Sequence, residues 1–128
     1  MFELNINETV YSFRFGLGFV REIDKTKKEK GENGEYQNVG FAYAVAALID
    51  EDPVGLVDIL CIANKTEKPR LNRDVLDRYI EDEDTDLEGL CADILDFFKT
   101  SNSTKKKTLA MIEFIEKKLA EKENEAEK

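Results

Sequence analysis

Histidine is absent from the 128 residues of this chain, and its absence removes several kinds of active site at once. Imidazole is the usual general base, the commonest metal ligand among side chains, and the group that activates serine and cysteine nucleophiles. We therefore expect neither a catalytic triad nor a histidine-containing metal site. The sequence predicts a protein without enzymatic activity, metal or cofactor.

Cysteine is nearly as scarce, since the chain has only Cys61 and Cys91. The two lie 30 positions apart and form no Cys-x-x-Cys pair, which excludes a redox or zinc motif of that type. Each lies within an apolar helical pattern, and cysteine is buried as readily as other small hydrophobic residues. We therefore predict two reduced thiols in the core.

Long apolar runs are also missing, because no stretch approaches the about 20 residues that span a bilayer. The first ten residues, "MFELNINETV", lack the charged-then-apolar pattern of a signal peptide. The net charge of −9 repels nucleic acid and anionic membranes on average, since both bind clustered Lys and Arg. These features predict a cytoplasmic protein that binds neither.

A Gly-x-Gly formed by Gly16 and Gly18 follows a predicted strand, in the place where many proteins bind nucleotide phosphates. The dinucleotide fingerprint requires a third glycine at position 21, where this chain has Arg21. The phosphate loop requires a Gly-Lys-Ser/Thr triplet, which the sequence does not contain. We therefore interpret both glycines as a corner between strand and helix.

An acidic segment at residues 82–93 has aspartates at the first, third and fifth positions of a calcium-binding loop. Such a loop needs glycine at its sixth position and a bidentate glutamate at its twelfth, where this chain has Leu87 and Asp93. A capping box formed by Thr85 and Glu88 explains the same segment as the start of a helix. We therefore predict a helix start and no calcium site.

Apolar and polar residues alternate over residues 2–15, which indicates two strands joined by a tight turn at Asn7-Glu8. Apolar residues at helical spacing follow, and Asp52-Pro53 and Asn72 are typical of helix N-termini. The predicted fold is α+β and mainly α, with an N-terminal β-hairpin followed by about five to six packed helices.

Two segments are charged and have no apolar period. We predict a mobile loop at residues 25–38 and a frayed tail at residues 121–128, so that a single domain occupies residues 1–120. The last helix of this domain is predicted to pack through a stripe that consists of Leu109, Ile112, Ile115 and Leu119.

Aromatic side chains crowd the first third of the chain. Core packing explains most of them, but any part of the hairpin face that the helices leave bare would be a site for a protein partner. The edge of the hairpin also has unpaired backbone groups, which favour self-association. The candidate partner-binding residues are Tyr11, Phe13, Phe15 and Phe19.

Three stretches together are similar to a known family. "LNINETVYSFRFGLGFVREIDK", "VGFAYAVAALIDEDPVGLVDILCIA" and "VLDRYIED", followed by an amphipathic helix, resemble the tail assembly chaperones of long-tailed bacteriophages that infect Gram-positive bacteria. The resemblance spans residues 2–100, and it lies in the order of the elements, since none of the stretches is a catalytic motif.

The resemblance implies a non-enzymatic assembly factor that binds the tape-measure protein and helps recruit tail-tube subunits. It also implies a role in the host cytoplasm and absence from the mature virion. A second class of protein is compatible with the composition, because small acidic phage proteins also imitate the phosphate pattern of DNA and inhibit DNA-binding proteins. That alternative expects carboxylates spread over one exposed face.

Overall fold

The computed structural model describes residues 2–126, which form two β-hairpins and six helices. The elements in chain order are β1 (Phe2–Ile6), β2 (Thr9–Phe13), α1 (Leu17–Asp24), β3 (Lys28–Lys30), β4 (Tyr36–Asn38), α2 (Gly40–Ile49), α3 (Pro53–Asn64), α4 (Arg73–Glu81), α5 (Leu87–Thr100) and α6 (Lys105–Ala126). The prediction of an α+β fold that is mainly α is confirmed. None of the helices in the described range is long and apolar enough to cross a membrane.

The N-terminal hairpin forms as the alternation predicts. β1 and β2 pair antiparallel, and Ile6 pairs with Thr9 next to the turn. Asn7 and Glu8 both have positive φ, 53° and 65°, which a two-residue turn requires if its twist is to match that of the strands. Phe13, at the end of β2, is buried against the helices.

Helix α2 lies at the centre of the helical layer, in contact with α1, α3, α5 and α6. Its sequence, "GFAYAVAALI", is rich in alanine, which lets the neighbouring helices approach closely. Gly40 begins α2 directly against the last turn of α1, where the Phe41 N–H donates to a carboxylate oxygen of Asp24 at 3.2 Å. This joint fixes the angle between the two helices.

A buried asparagine, Asn64, fastens the hairpin to the helices at the end of α3. Its Nδ2 donates to the carbonyl oxygens of Ser12 at 3.0 Å and Pro69 at 3.2 Å. Its Oδ1 accepts a hydrogen bond from the Leu71 N–H at 2.6 Å. Because both polar ends of the side chain are paired, burial leaves neither one unsatisfied, and β2 is held at one position along α3.

The prediction of a loop at residues 25–38 is wrong, because this segment contains the second hairpin. β3 and β4 pair antiparallel, with Lys30 opposite Tyr36, and Gly34 supplies a positive φ of 84° in the turn between them. Both strands are exposed along their whole length. Since neither face is buried, the sequence has no apolar alternation from which the strands could be recognised.

Helix α5 begins one residue later than the capping box formed by Thr85 and Glu88 predicts. Its N-cap is Asp86, whose carboxylate accepts a hydrogen bond from the Gly89 N–H at 2.9 Å. The Thr85 hydroxyl instead donates to the carbonyl oxygen of Tyr79, at 2.6 Å, and ties the helix start to the end of α4. A carboxylate is the stronger cap, because it is charged and complements the positive end of the helix dipole.

Helix α6 packs on α2 and α5 along a line that differs from the predicted stripe. Thr108 is fully buried in this contact, and Met111 and Ile112 are partly buried. Leu109 is 52% exposed, since it lies about 100° around the helix from Thr108. The prediction that Leu109 packs inward is therefore wrong, and so is the same prediction for Leu119, which is exposed.

The second half of α6 extends without a partner among the described residues. The side chains of residues 116–124 are all exposed, although the helix continues to Ala126. The helix therefore crosses the predicted boundary between a domain at residues 1–120 and a tail at 121–128. That boundary stays a prediction, and residues 1, 127 and 128 lie outside the described part of the chain.

Candidate protein-binding surfaces

The four aromatic residues predicted as a partner-binding set lie mainly in the interior. Phe13, Phe15 and Phe19 are buried, whereas Tyr11 is partly buried on the hairpin. The alternation along β2 identifies an apolar face correctly. It does not say whether that face meets the same chain or a partner, and in this structure the three phenylalanines are buried within the same chain.

Phe15 is the centre of the aromatic cluster that forms there. Its ring centroid lies 5.1 to 5.9 Å from those of Phe2, Phe19, Phe97 and Phe98. Three of these four contacts are edge-to-face, a favourable arrangement for buried rings. Because α5 supplies Phe97 and Phe98, it packs against Phe15 just after the hairpin, whereas α3 is the helix that contacts β2.

Helix α6 has an apolar surface that the rest of the chain covers only in part, because Met111 and Ile115 are partly buried and Phe114 and Leu119 are exposed. We call it the α6 surface and define it by Met111, Phe114, Ile115 and Leu119, whose spacing puts them on one side of the helix. Phe114 is 54% exposed and Leu119 is 56% exposed. Ile115 and Leu119 belong to the stripe that the sequence predicts to pack in the core, because a stripe that meets a partner has the same period as one that meets the core.

The α6 surface borders an open groove of about 360 Å³ between α6 and the start of α2. Asp24 and Lys107 are the charged residues that line this groove. Its apolar lining residues are Val39, Phe41, Ala42, Ala110, Met111 and Phe114. An apolar groove beside an exposed helix face has the geometry by which proteins bind an amphipathic helix.

A larger groove, of about 610 Å³, lies at the corner formed by Gly16 and Gly18. We call it the α1 groove and define it by its charged lining residues, Arg14, Arg21, Glu22, Lys25 and Lys65. The ammonium group of Lys65 pairs with the Glu22 carboxylate at 3.1 Å, with both side chains more than half exposed. The other three cations have no carboxylate within 4.0 Å among the described side chains.

Carboxylates collect at the other end of α3, and we call residues 81–88 the acidic end. This segment has six Asp and Glu and no Lys or Arg. Asp82 accepts a hydrogen bond from the Asp84 N–H at 2.8 Å, and Asp86 caps α5, so these two carboxylates have structural roles. Within residues 2–126, no three potential ligands are grouped to hold a metal ion.

The two thiols are free, and Cys91 is the more deeply buried. Burial is the main reason that the pKa of Cys91 rises to about 11, and the nearby carboxylates of Glu51 and Asp52 raise it further. The pKa of Cys61 is also raised, chiefly by burial. Both residues therefore remain thiols at neutral pH.

The raised pKa of Cys91 predicts a loss of stability in alkaline solution. The folded protein holds this proton up to a pH of about 11, whereas the unfolded chain releases it near 9. Stability present below pH 9 therefore falls between these values, by at most about 3 kcal/mol. Urea unfolding at several pH values should give a steeper decline for the natural protein than for Cys91→Ala, and equal slopes would contradict the assignment.

Comparison with known protein families gives a match over most of the chain. The family model described as phage tail assembly chaperone protein matches residues 3–113. The match begins in β1 and ends within α6, so it includes the hairpins apart from Phe2, the α1 groove, the acidic end and, of the α6 surface, Met111 alone. No curated protein and no solved structure matches the chain significantly.

Proposed function

This chain belongs to the phage tail assembly chaperone family, and we propose that it binds the tape-measure protein and helps recruit tail-tube subunits without catalysing a reaction. In this proposal it acts in the host cytoplasm, where the tail is assembled, and it is not retained in the mature virion. The family supports a role in assembly, and the choice of these two partners is our inference.

The observation that carries the proposal is the exposed α6 surface. Large apolar side chains that lie together on the outside of a protein mark an interaction site, because contact with a partner removes them from water. Phe114 and Leu119 have more than half of their surface exposed. The Lys118 ammonium lies 5.7 Å from the centroid of the Phe114 ring, but Phe114 and Leu119 keep more than half of their surface open to a second protein.

A helix of the tape-measure protein is the partner that this surface fits best. The four residues of the α6 surface are spaced as one side of a helix, and a second helix packs against such a side by placing its own apolar side chains between them. The groove beside Met111 and Phe114 provides a second surface for that helix to contact. The net charge of −9 keeps the free chaperone soluble while the surface is exposed.

Capture of the tape-measure protein tests the proposal. We expect the tagged chain to retain the tape-measure protein encoded by the same phage when the two are co-expressed. Phe114→Ser with Leu119→Ser should weaken retention at least about tenfold, because two large side chains at the centre of an interface commonly contribute more than 1 kcal/mol each. The melting temperature should hardly change, since both side chains are already exposed.

A matched control is Val54→Ser, which removes an apolar side chain that is 70% exposed on a different surface. This variant should retain the tape-measure protein like the natural chain. Tail-tube subunits should be retained only when the tape-measure protein is present. Failure of the natural chain to retain the tape-measure protein would reject the proposed function, whereas unchanged retention by the α6 double variant would reject only the proposed surface.

A further inference from the structure

Regions of opposite charge lie near the two ends of α3. The α1 groove lies where α3 ends, since Ile62 and Lys65 line it, and it contains four cations and one carboxylate. The acidic end lies where α3 begins, because Ile80 and Glu81 line the same groove as Pro53. A helix of 12 residues separates the two regions by about 18 Å.

The cations of the α1 groove are not explained by the internal structure. The ion pair between Lys65 and Glu22 joins exposed side chains, and such a pair contributes little to stability. Arg14, Arg21 and Lys25 are exposed. Placing like charges together without partners is unfavourable, so an anionic partner would gain from binding there.

The acidic end has the complementary chemistry. It presents the carboxylates of Glu81, Glu83, Asp84 and Glu88 to solvent, with no cation in the same segment. The acidic end cannot reach the groove of its own molecule, because the rigid length of α3 lies between them. The same two regions on different molecules can meet without such a constraint.

We propose that the α1 groove binds the acidic end of a second copy of this chain. This contact joins two different surfaces, so each molecule keeps one free groove and one free acidic end, and the association can continue head to tail. The proposal rests on the charge distribution and is independent of binding to the tape-measure protein. It also differs from pairing of hairpin edges, which joins two identical surfaces.

Ionic strength decides whether local attraction exceeds the repulsion between two molecules of charge −9. At about 0.1 M salt the screening length is about 10 Å, which is shorter than the distance between the two charged regions. Repulsion between the distant acidic ends is then largely screened, whereas charges in direct contact still attract. At about 1 M salt, where the screening length is about 3 Å, this attraction should also be lost.

Sedimentation equilibrium tests the proposal at protein concentrations up to about 1 mM, a range in which an association with a dissociation constant of about 1 mM becomes populated. We expect the mean mass to rise above the monomer mass of 14.7 kDa with concentration in 0.1 M salt, and to return to it in 1 M salt. Arg14→Glu with Arg21→Glu should weaken association at least about tenfold, since like charges would then face each other. A triple variant, Glu81→Gln, Glu83→Gln and Asp84→Asn, should do the same.

Mixing the two variants gives the decisive result. The groove variant keeps its acidic end and the triple variant keeps its groove, so a mixture should form a one-to-one dimer that cannot grow further. Lys105→Glu with Lys106→Glu is the matched control, because it makes the same change in net charge at exposed positions outside the groove. This control should associate like the natural chain, and circular dichroism should show that every variant is folded.

Several outcomes would overturn the proposal. The natural chain could remain monomeric at all concentrations, or the mixture could stay monomeric while the natural chain associates, which would indicate another interface. Binding of an oligonucleotide or of polyglutamate to the groove of a chain that does not self-associate would assign the groove to a different anionic partner. The capture experiment with the tape-measure protein is read separately, so either proposal can fail alone.

Discussion

Gly40→Ala is expected to lower the free energy of unfolding by about 3 kcal/mol or more, a large effect for the addition of one methyl group. A Cβ on Gly40 would overlap the carbonyl oxygen of Ile23. It would also lie 2.6 Å from Thr26 Oγ1 and 2.8 Å from the Ile23 carbonyl carbon. Real Cβ atoms do not approach other atoms this closely, so α1 and α2 would have to move apart.

The surrounding hydrogen bonds leave little room for such a movement. The Ile23 carbonyl oxygen accepts from the Thr26 hydroxyl at 2.6 Å and from the Thr26 N–H at 3.1 Å. The start of α2 is in turn held by the bond between the Phe41 N–H and Asp24. Relief of the clash would break these bonds and loosen the packing of Ile23, which is buried.

Gly18→Ala is the matched control, because a Cβ at Gly18 would have no atom within 4 Å. Alanine in a helix is more favourable than glycine by about 0.5 to 1 kcal/mol, so this variant should be as stable as the natural chain or slightly more stable. Urea unfolding of both variants measures the difference. Equal stability of the two would show that the joint between α1 and α2 is looser than the structure indicates.

The sequence predicts those elements of the fold for which the local residue pattern agrees with the packing in the structure. Asp52 and Asn72 cap α3 and α4 through their side chains, as predicted, because capping depends only on residues close in the chain. The second hairpin could not be predicted, since it buries neither face. Its position depends on distant contacts, such as the hydrogen bond that the Tyr43 hydroxyl donates to Glu29 and the Lys27 ammonium 5.7 Å from the Tyr43 ring centroid.

The candidate surfaces are harder to predict than the fold. An apolar stripe on a helix or strand indicates that it packs against another surface. The sequence does not show whether that surface belongs to the same chain or to a partner. Phe15, just after the hairpin, is covered by Phe97 and Phe98 of α5, whereas Phe114 and Leu119 are left exposed although they have the same apolar character. The α1 groove needs Lys65 beside Arg14 and Arg21, and only the packing of α3 on α1 brings them together.

Phe13→Ser is expected to unfold the domain, because this side chain is 0% exposed. Truncation of a buried phenylalanine costs about 3 to 5 kcal/mol, and an unpaired hydroxyl in the same place adds about 1 to 3 kcal/mol. The total is comparable with the whole stability of a small domain, about 5 to 15 kcal/mol. Thermal melting followed by circular dichroism should show loss of the cooperative transition. A variant that melts like the natural chain would contradict the core position of Phe13.

The same substitution at Tyr11 separates a core role of the hairpin from a binding role. Tyr11 lies on the same strand but is only partly buried, so Tyr11→Ser should keep the cooperative transition and lose about 1 to 2 kcal/mol of stability. If the hairpin face binds the tape-measure protein, this folded variant should retain less of it in the capture experiment. Undiminished retention would remove the hairpin from the binding surface and leave α6 as its site. Because Phe13→Ser is expected to lose the fold itself, only Tyr11→Ser tests binding at the hairpin.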